Sequence, residues 1–217
     1  MKLVAVSSLC ILLGGHLACS KPEPEPGDRG QQASAAVPSD SAGATGSAVA
    51  STGPGGSVQP KPATIDARWW PAVSKGDQAT IRELLKSGVP VDATDEESRA
   101  GLALAAYEGH TQAVQLLLTA GAAVNHTDDA GRTALMYAAS GPFTATVQLL
   151  LQRGANPNVV DKVEGWTALM WAAAEGQLTT VEVLLENNAD RGIIDKDGDT
   201  AKVFAIKNGH VKVAERL

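Results

Sequence analysis

From about residue 66 to the last residue, apolar side chains recur in two alternating patterns. The first is Leu-x-x-Ala-Ala, as in Leu102–Ala106, Leu135–Ala139 and Leu169–Ala173. The second is a Val followed three and four positions later by Leu-Leu, as in Val147, Leu150 and Leu151. Spacings of three and four place these residues on one face of a helix. The chain therefore predicts a short first helix with a small-residue face, against which a longer second helix packs closely. Gly109 or Gly176 supplies the positive-φ turn between the two. Gly88, Gly121 and Gly154 end the second helix, and an acidic loop such as 127–129 or 195–197 opens the next copy.

Aligned against itself, the chain shows three full copies of this unit, at 99–125, 132–158 and 166–192. A degenerate copy precedes them at 66–92 and a truncated one follows at 199–217. The inter-helix turn falls at Gly76, Gly109, Pro142, Gly176 and Gly209, a period of 33 residues with one extra residue in the loop 160–164. One helix pair cannot bury its own apolar face, so the copies must stack side by side into a continuous core.

These copies resemble ankyrin repeats. The resemblance covers residues 64–217 and rests on T-A-L-M-x-A-A (Thr133–Ala139, Thr167–Ala173), G-H (Gly109-His110, Gly209-His210), L-L-L (Leu116–Leu118, Leu149–Leu151) and G-A-x-x-N (Gly121–Asn125, Gly154–Asn158). It implies an all-α solenoid of about five stacked helix-turn-helix repeats joined by hairpin loops. Where the family carries Pro and His after the helix-starting Thr, this chain has Ala and then Met136 or Met170. The end copies carry Glu83, Lys202 and Arg216 where inner copies have Leu or Val, as a repeat lacking a neighbour on one side requires. The second copy has Ser98 and Ala100 in place of the loop Gly and the Thr, so its hairpin is expected to be the least regular.

Composition divides the rest of the chain. Every Trp, Tyr and Phe lies at or after Trp69. Residues 20–62 hold only Ala, Val and Pro as apolar side chains, too little to offset the entropy of ordering. A tether of that length has a root-mean-square reach of about 35–40 Å. Before it, Lys2 and the apolar run 3–13 read as an export signal, too short for the ~20 residues that span a bilayer. Cys19 follows at the end of this segment, a placement that resembles bacterial lipoproteins, whose cysteine becomes a lipidated N-terminus. His16 and Leu17 depart from that family's pattern, whereas Ala18 fits, and ordinary cleavage after Ala18 is the alternative. The expected organisation is a signal peptide at 1–18, a lipid-attachment cysteine and disordered linker at 19–63, and the repeat domain at 64–217.

The formal net charge is −6, with no basic stripe, which argues against nucleic acid as a partner. No nucleophile elbow, phosphate-binding glycine loop or Cys/His pair at metal-ligand spacing is present, so neither catalytic residue, cofactor nor metal is expected. His110 and His210 occupy the structural G-H position, and His126 reads as a solvated loop residue. The loop acids at 95–97, 128–129, 161 and 195–197 do not follow a calcium-loop spacing. Local side-chain hydrogen bonds that open the hairpins explain them. Asn125-His126-Thr127 has the form of a glycosylation sequon, but Asn125 is also the repeat's own asparagine.

Ankyrin stacks usually bind through hairpin tips and the exposed side of the first helix. Carried onto this chain, those positions are Glu97, Arg99, Tyr107, Glu108, Asp129, Arg132, Glu164, Trp166, Glu175, Lys196 and Asp199. Tyr107 and Trp166 are the expected anchors, because aromatics dominate interface energetics, unless each packs on its own hairpin. Trp69, Trp70, Tyr137 and Trp171 fall on buried or half-buried faces of the first helix and are read as core. The resulting expectation is a monomeric, non-catalytic protein-binding module in a bacterial cell envelope, inhibiting, protecting or scaffolding another protein. It would be held at the outer membrane through Cys19, or else be secreted or periplasmic. A structural spacer and an enzyme-associated accessory subunit are the alternatives.

Overall fold

The computed structural model describes residues 65–217. The segments expected to be a signal peptide, 1–18, and a lipid-attachment cysteine with linker, 19–63, lie outside the described residues. Among the described residues ten helices form five antiparallel pairs: α1 (Trp69–Ser74) with α2 (Gln78–Lys86), α3 (Gly101–Tyr107) with α4 (Thr111–Thr119), and α5 (Ala134–Ala139) with α6 (Thr144–Gln152). They continue with α7 (Ala168–Ala174) paired to α8 (Leu178–Glu186) and α9 (Ala201–Lys207) paired to α10 (Val211–Arg216). First helices pack in sequence order in one layer and second helices in another.

The helix starts follow from local chemistry. Thr133 Oγ1 accepts from the Met136 N–H at 3.4 Å, and Thr167 Oγ1 from the Met170 N–H at 3.3 Å. These bonds satisfy donors that a helix N-terminus otherwise leaves unpaired. Asp77 caps α2 in the same way, accepting from the Ala79 and Thr80 N–H groups.

Between the layers runs one apolar ladder. Ile81, Val114, Val147 and Val181 form one rung series and Leu84, Leu117, Leu150 and Leu184 the next, all fully buried. The Leu-x-x-Ala-Ala faces of α3, α5 and α7 meet this ladder from the first-helix layer and are buried throughout. In the first repeat Trp69 takes the place of Leu. Gly101, where later repeats have Ala, leaves room for it: a Cβ there would lie 3.2 Å from the Trp69 ring.

Polar contacts tie each repeat to the next. Asn125 Oδ1 accepts from the Asn156 N–H at 2.8 Å, and its Nδ2 donates to the Gly154 carbonyl at 3.1 Å. Asn158 repeats the pattern with the Asp190 N–H and the Asn188 carbonyl. The sequon asparagine is thus a structural strut. His110 Nε2 bonds the Ser74 carbonyl at 2.9 Å and His210 Nε2 the Ala174 carbonyl at 3.0 Å, which makes the G-H histidines inter-repeat ties. In the third repeat Phe143 stands at the histidine position and covers Gly109, whose φ is +70°. A side chain at 109 would meet that ring at 2.2 Å, so both backbone and space require glycine there.

Two expectations are corrected. The second hairpin is as regular as the third: Thr94 bridges Ala100 just as Thr127 bridges Thr133. It closes because Ser98 adopts the left-handed conformation, φ +60°, that glycine holds in the later hairpins. His126 is not a freely solvated loop residue. It is half-buried, and its Nε2 bonds the Ser98 carbonyl at 2.9 Å, pinning the same turn. A left-handed L-residue costs about 1–2 kcal/mol, and the added chain entropy of glycine offsets about half of that relief. Ser98→Gly is therefore expected to raise the unfolding free energy by about 0.5–1 kcal/mol, measured by urea denaturation. A loss of stability would show that the serine side chain contributes more than its backbone strain costs.

Glu83, Lys202 and Arg216 are exposed, as end-repeat residues should be. Lys202 occupies the position that is buried Leu169 one repeat earlier. Among the described residues no helix is long and apolar enough to cross a membrane.

Candidate binding face

Each hairpin is organised by one aspartate. Asp95, Asp128, Asp161 and Asp195 each accept one to three backbone N–H bonds on Oδ1 from residues further round the turn, at 2.7–3.2 Å. Asp161 takes three such bonds, from Val163, Glu164 and Gly165, which is how its hairpin absorbs the extra residue. Neighbouring hairpins are joined edge to edge by Asp129 N–H to Glu97 O, Lys162 N–H to Ala130 O and Lys196 N–H to Glu164 O. The loop acids are therefore the frame of the hairpins, as expected from local hydrogen bonding.

On this frame the first helices present a line of half-buried aromatic side chains. Tyr137, Trp171 and Phe204 each occupy the fourth position of their helix, so stacking in register brings them onto one strip. Tyr107, at the end of α3, meets Tyr137 edge-on, with ring centroids 6.0 Å apart. Trp166, just before the Thr167 cap, lies 4.7 Å from Trp171 and 4.4 Å from Phe204 between centroids. The Arg132 guanidinium sits 5.5 Å above the Trp171 ring, a cation–π contact that joins the third repeat to the fourth.

The electrostatics under the strip differ between repeats. Tyr137 donates its hydroxyl to Asp128 Oδ2 at 2.6 Å. Burial, reinforced by the Asp128 carboxylate, pushes its phenol far above the ordinary range, so it remains a donor. One repeat later Trp171 replaces Tyr137 and Asp161 replaces Asp128. There Asp161 Oδ2 and Trp171 Nε1 are both buried without a hydrogen-bond partner, as is Arg132 Nε.

The eleven positions carried over from the resemblance separate by what each side chain touches. Arg99 is held by Asp95 at 2.8 Å and by Glu97 at 2.7 Å. Lys196 Nζ donates to the Lys162 and Val163 carbonyls, and Asp199 is ion-paired to Lys207. These side chains hold the hairpins together. Glu108, Asp129 and Glu164 are exposed and form no ion pair within the described residues. Glu175 is the half-buried C-cap of α7. Tyr107, Arg132 and Trp166 belong to the aromatic strip. Tyr137 and Trp171, expected as core on buried or half-buried faces, are half-buried on this strip, and Phe204, which the sequence does not single out, joins them. Their shared helix position in the repeat alignment is the signal that finds them. Trp69, by contrast, is fully buried as expected.

A shallow groove of about 520 Å³ runs along the second-helix layer, lined by Gln78, Arg82, Gln112, Gln115 and Leu116 among others. Its polar groups largely answer one another, Gln78 donating to Gln112 at 2.6 Å.

No curated protein matches this chain. The family model described as ankyrin repeats (three copies) matches residues 70–161 and again 143–217. Those matches take in all five helix pairs and the inter-repeat asparagine and histidine ties, and ankyrin repeats mediate protein–protein interaction, generally without catalysis. This chain belongs to the ankyrin repeat family.

Proposed function

We propose that this protein is exported to a bacterial cell envelope and there binds another protein, as a monomer and without catalysis, through its hairpin and first-helix face. The observation that carries the reading is the run of half-buried rings from Tyr107 to Phe204, with Arg132 stacked on Trp171 at its middle. Rings of this kind lose little conformational entropy on binding and bury large areas. The same hairpin and first-helix segments carry the exposed carboxylates Glu108, Asp129 and Glu164. The role is that of an inhibitor, protective partner or scaffold. Capture of envelope proteins on the purified chain, followed by mass spectrometry, tests it when repeated with Trp166→Ala. A specific partner retained by wild type and lost by the variant supports the reading. No specific partner favours the spacer alternative.

The anchoring half of the proposal rests on Lys2, the apolar run 3–13 and Cys19. Lipidation at Cys19, with a serine following it, would hold the protein at the outer membrane. Metabolic labelling with a fatty acid is expected to mark the wild type, and Cys19→Ser to abolish the label. A labelled Cys19→Ser protein, or an unlabelled wild type, removes the anchor while leaving the repeats untouched.

A further inference from the structure

The charge of the repeat stack is unevenly placed. The hairpin and first-helix segments 94–108, 127–141, 160–175 and 194–208 hold twelve carboxylates against six cations. The remainder of residues 65–217 holds eight of each. The net charge of the stack therefore falls mainly on the hairpins and first helices that carry the aromatic strip. Its own cations are largely engaged there: Arg99 with Asp95 and Glu97, Lys196 with backbone carbonyls, and Lys207 with Asp199. Asp161 adds a buried carboxylate oxygen with no hydrogen-bond donor.

We infer that this face takes an extended, basic segment of a partner protein. Lysine or arginine side chains of that segment pair with Glu108, Asp129 and Glu164, and their aliphatic stems lie across the rings of Tyr107, Trp166 and Phe204. The chemistry is that of Arg132 on Trp171, repeated between molecules. A cation over an aromatic face gains from the ring quadrupole, and long basic side chains cover apolar surface with their methylenes. Negative potential on one face also steers a cationic partner toward it and repels an acidic one. This inference rests on the protein-binding reading of the same face.

The test is calorimetric titration of the purified chain with decalysine, and with decaglutamate as the opposite charge. Saturable decalysine binding is expected, weakening about tenfold or more as salt rises from about 50 to about 500 mM. Decaglutamate is expected not to bind. Glu108→Lys combined with Glu164→Lys should weaken decalysine binding by about tenfold or more. Glu186→Lys combined with Glu215→Lys makes the same change of charge on the second helices. It should alter binding by no more than about threefold. Absence of saturable binding, or equal losses in the two double variants, overturns the inference. A captured partner that needs Trp166 but ignores Glu108→Lys and Glu164→Lys overturns only the basic character of the partner. One that is indifferent to Trp166 overturns the binding face itself.

Discussion

Leu150→Ala is expected to lower the unfolding free energy by about 2–5 kcal/mol, the range for a leucine truncated in a packed interior. Leu150 is fully buried in the central repeat, in register with Leu117 on one side and Leu184 on the other. Truncation to alanine removes the isopropyl end of the side chain and forfeits the transfer free energy of those three carbons. It also opens a cavity that helices fixed on both sides can only partly close. In a stack of this kind stability is approximately the sum of what each repeat and each nearest-neighbour interface contributes. A lesion in the central rung is therefore felt across two interfaces. Urea denaturation of wild type and variant measures the effect, with Lys202→Ala as the control. Lys202 is exposed on the last repeat, and its change should stay within about 0.5 kcal/mol. A loss below about 1 kcal/mol at Leu150 would show that the rungs do not form one continuous core.

Trp166→Ala is expected to weaken binding of a captured partner by about 2 kcal/mol or more, roughly a thirtyfold rise in Kd. Its effect on stability is smaller than that of Leu150→Ala but not negligible. Trp166 does not project freely from its hairpin: it packs against Trp171 and Phe204. Aromatic pairs of this geometry contribute about 0.5–1.5 kcal/mol beyond their burial, so a stability loss of about 1–2 kcal/mol is expected. The separation between the two variants is the result to measure. Trp166→Ala should lose affinity out of proportion to stability, whereas Leu150→Ala should lose stability while the fraction still folded binds normally. If Trp166→Ala destabilises the chain as much as Leu150→Ala does, the tryptophan is core. If it changes neither quantity, Tyr107 and Arg132 become the anchors to truncate next.

The repeat architecture is legible in the sequence because it is periodic. The Leu-x-x-Ala-Ala and Val-x-x-Leu-Leu faces, the turn residues at a constant interval and the polar substitutions at Glu83, Lys202 and Arg216 all repeat an instruction that the fold obeys. Hairpin aspartates and G-H histidines are legible for the same reason, since each acts on atoms a fixed distance along the chain or one repeat away. The second hairpin departs from its expected irregularity because the absence of glycine at 98 does not act alone. The carbonyl contact from His126, 28 residues further on, leaves no pattern in the sequence.

The candidate binding face is only half legible. Tyr107, Trp166 and Arg132 stand at positions that repeats of this type expose, so sequence alone determined them as candidates. Tyr137, Trp171 and Phe204 sit at a helix position between core and surface, where apolar periodicity does not distinguish buried from half-buried. Only the stacking of helices in register decided that these rings form one strip with Trp166. Arg99, Lys196 and Asp199 look equally available in the sequence, yet tertiary structure committed them to ion pairs and carbonyls within and between hairpins. The physical reason is common to both outcomes. Periodicity specifies which face of an element turns inward, because burial of apolar area is the main force driving the chain to fold. Which polar or aromatic groups meet across repeats depends on distances of a few ångströms, and those exist only once the repeats have stacked.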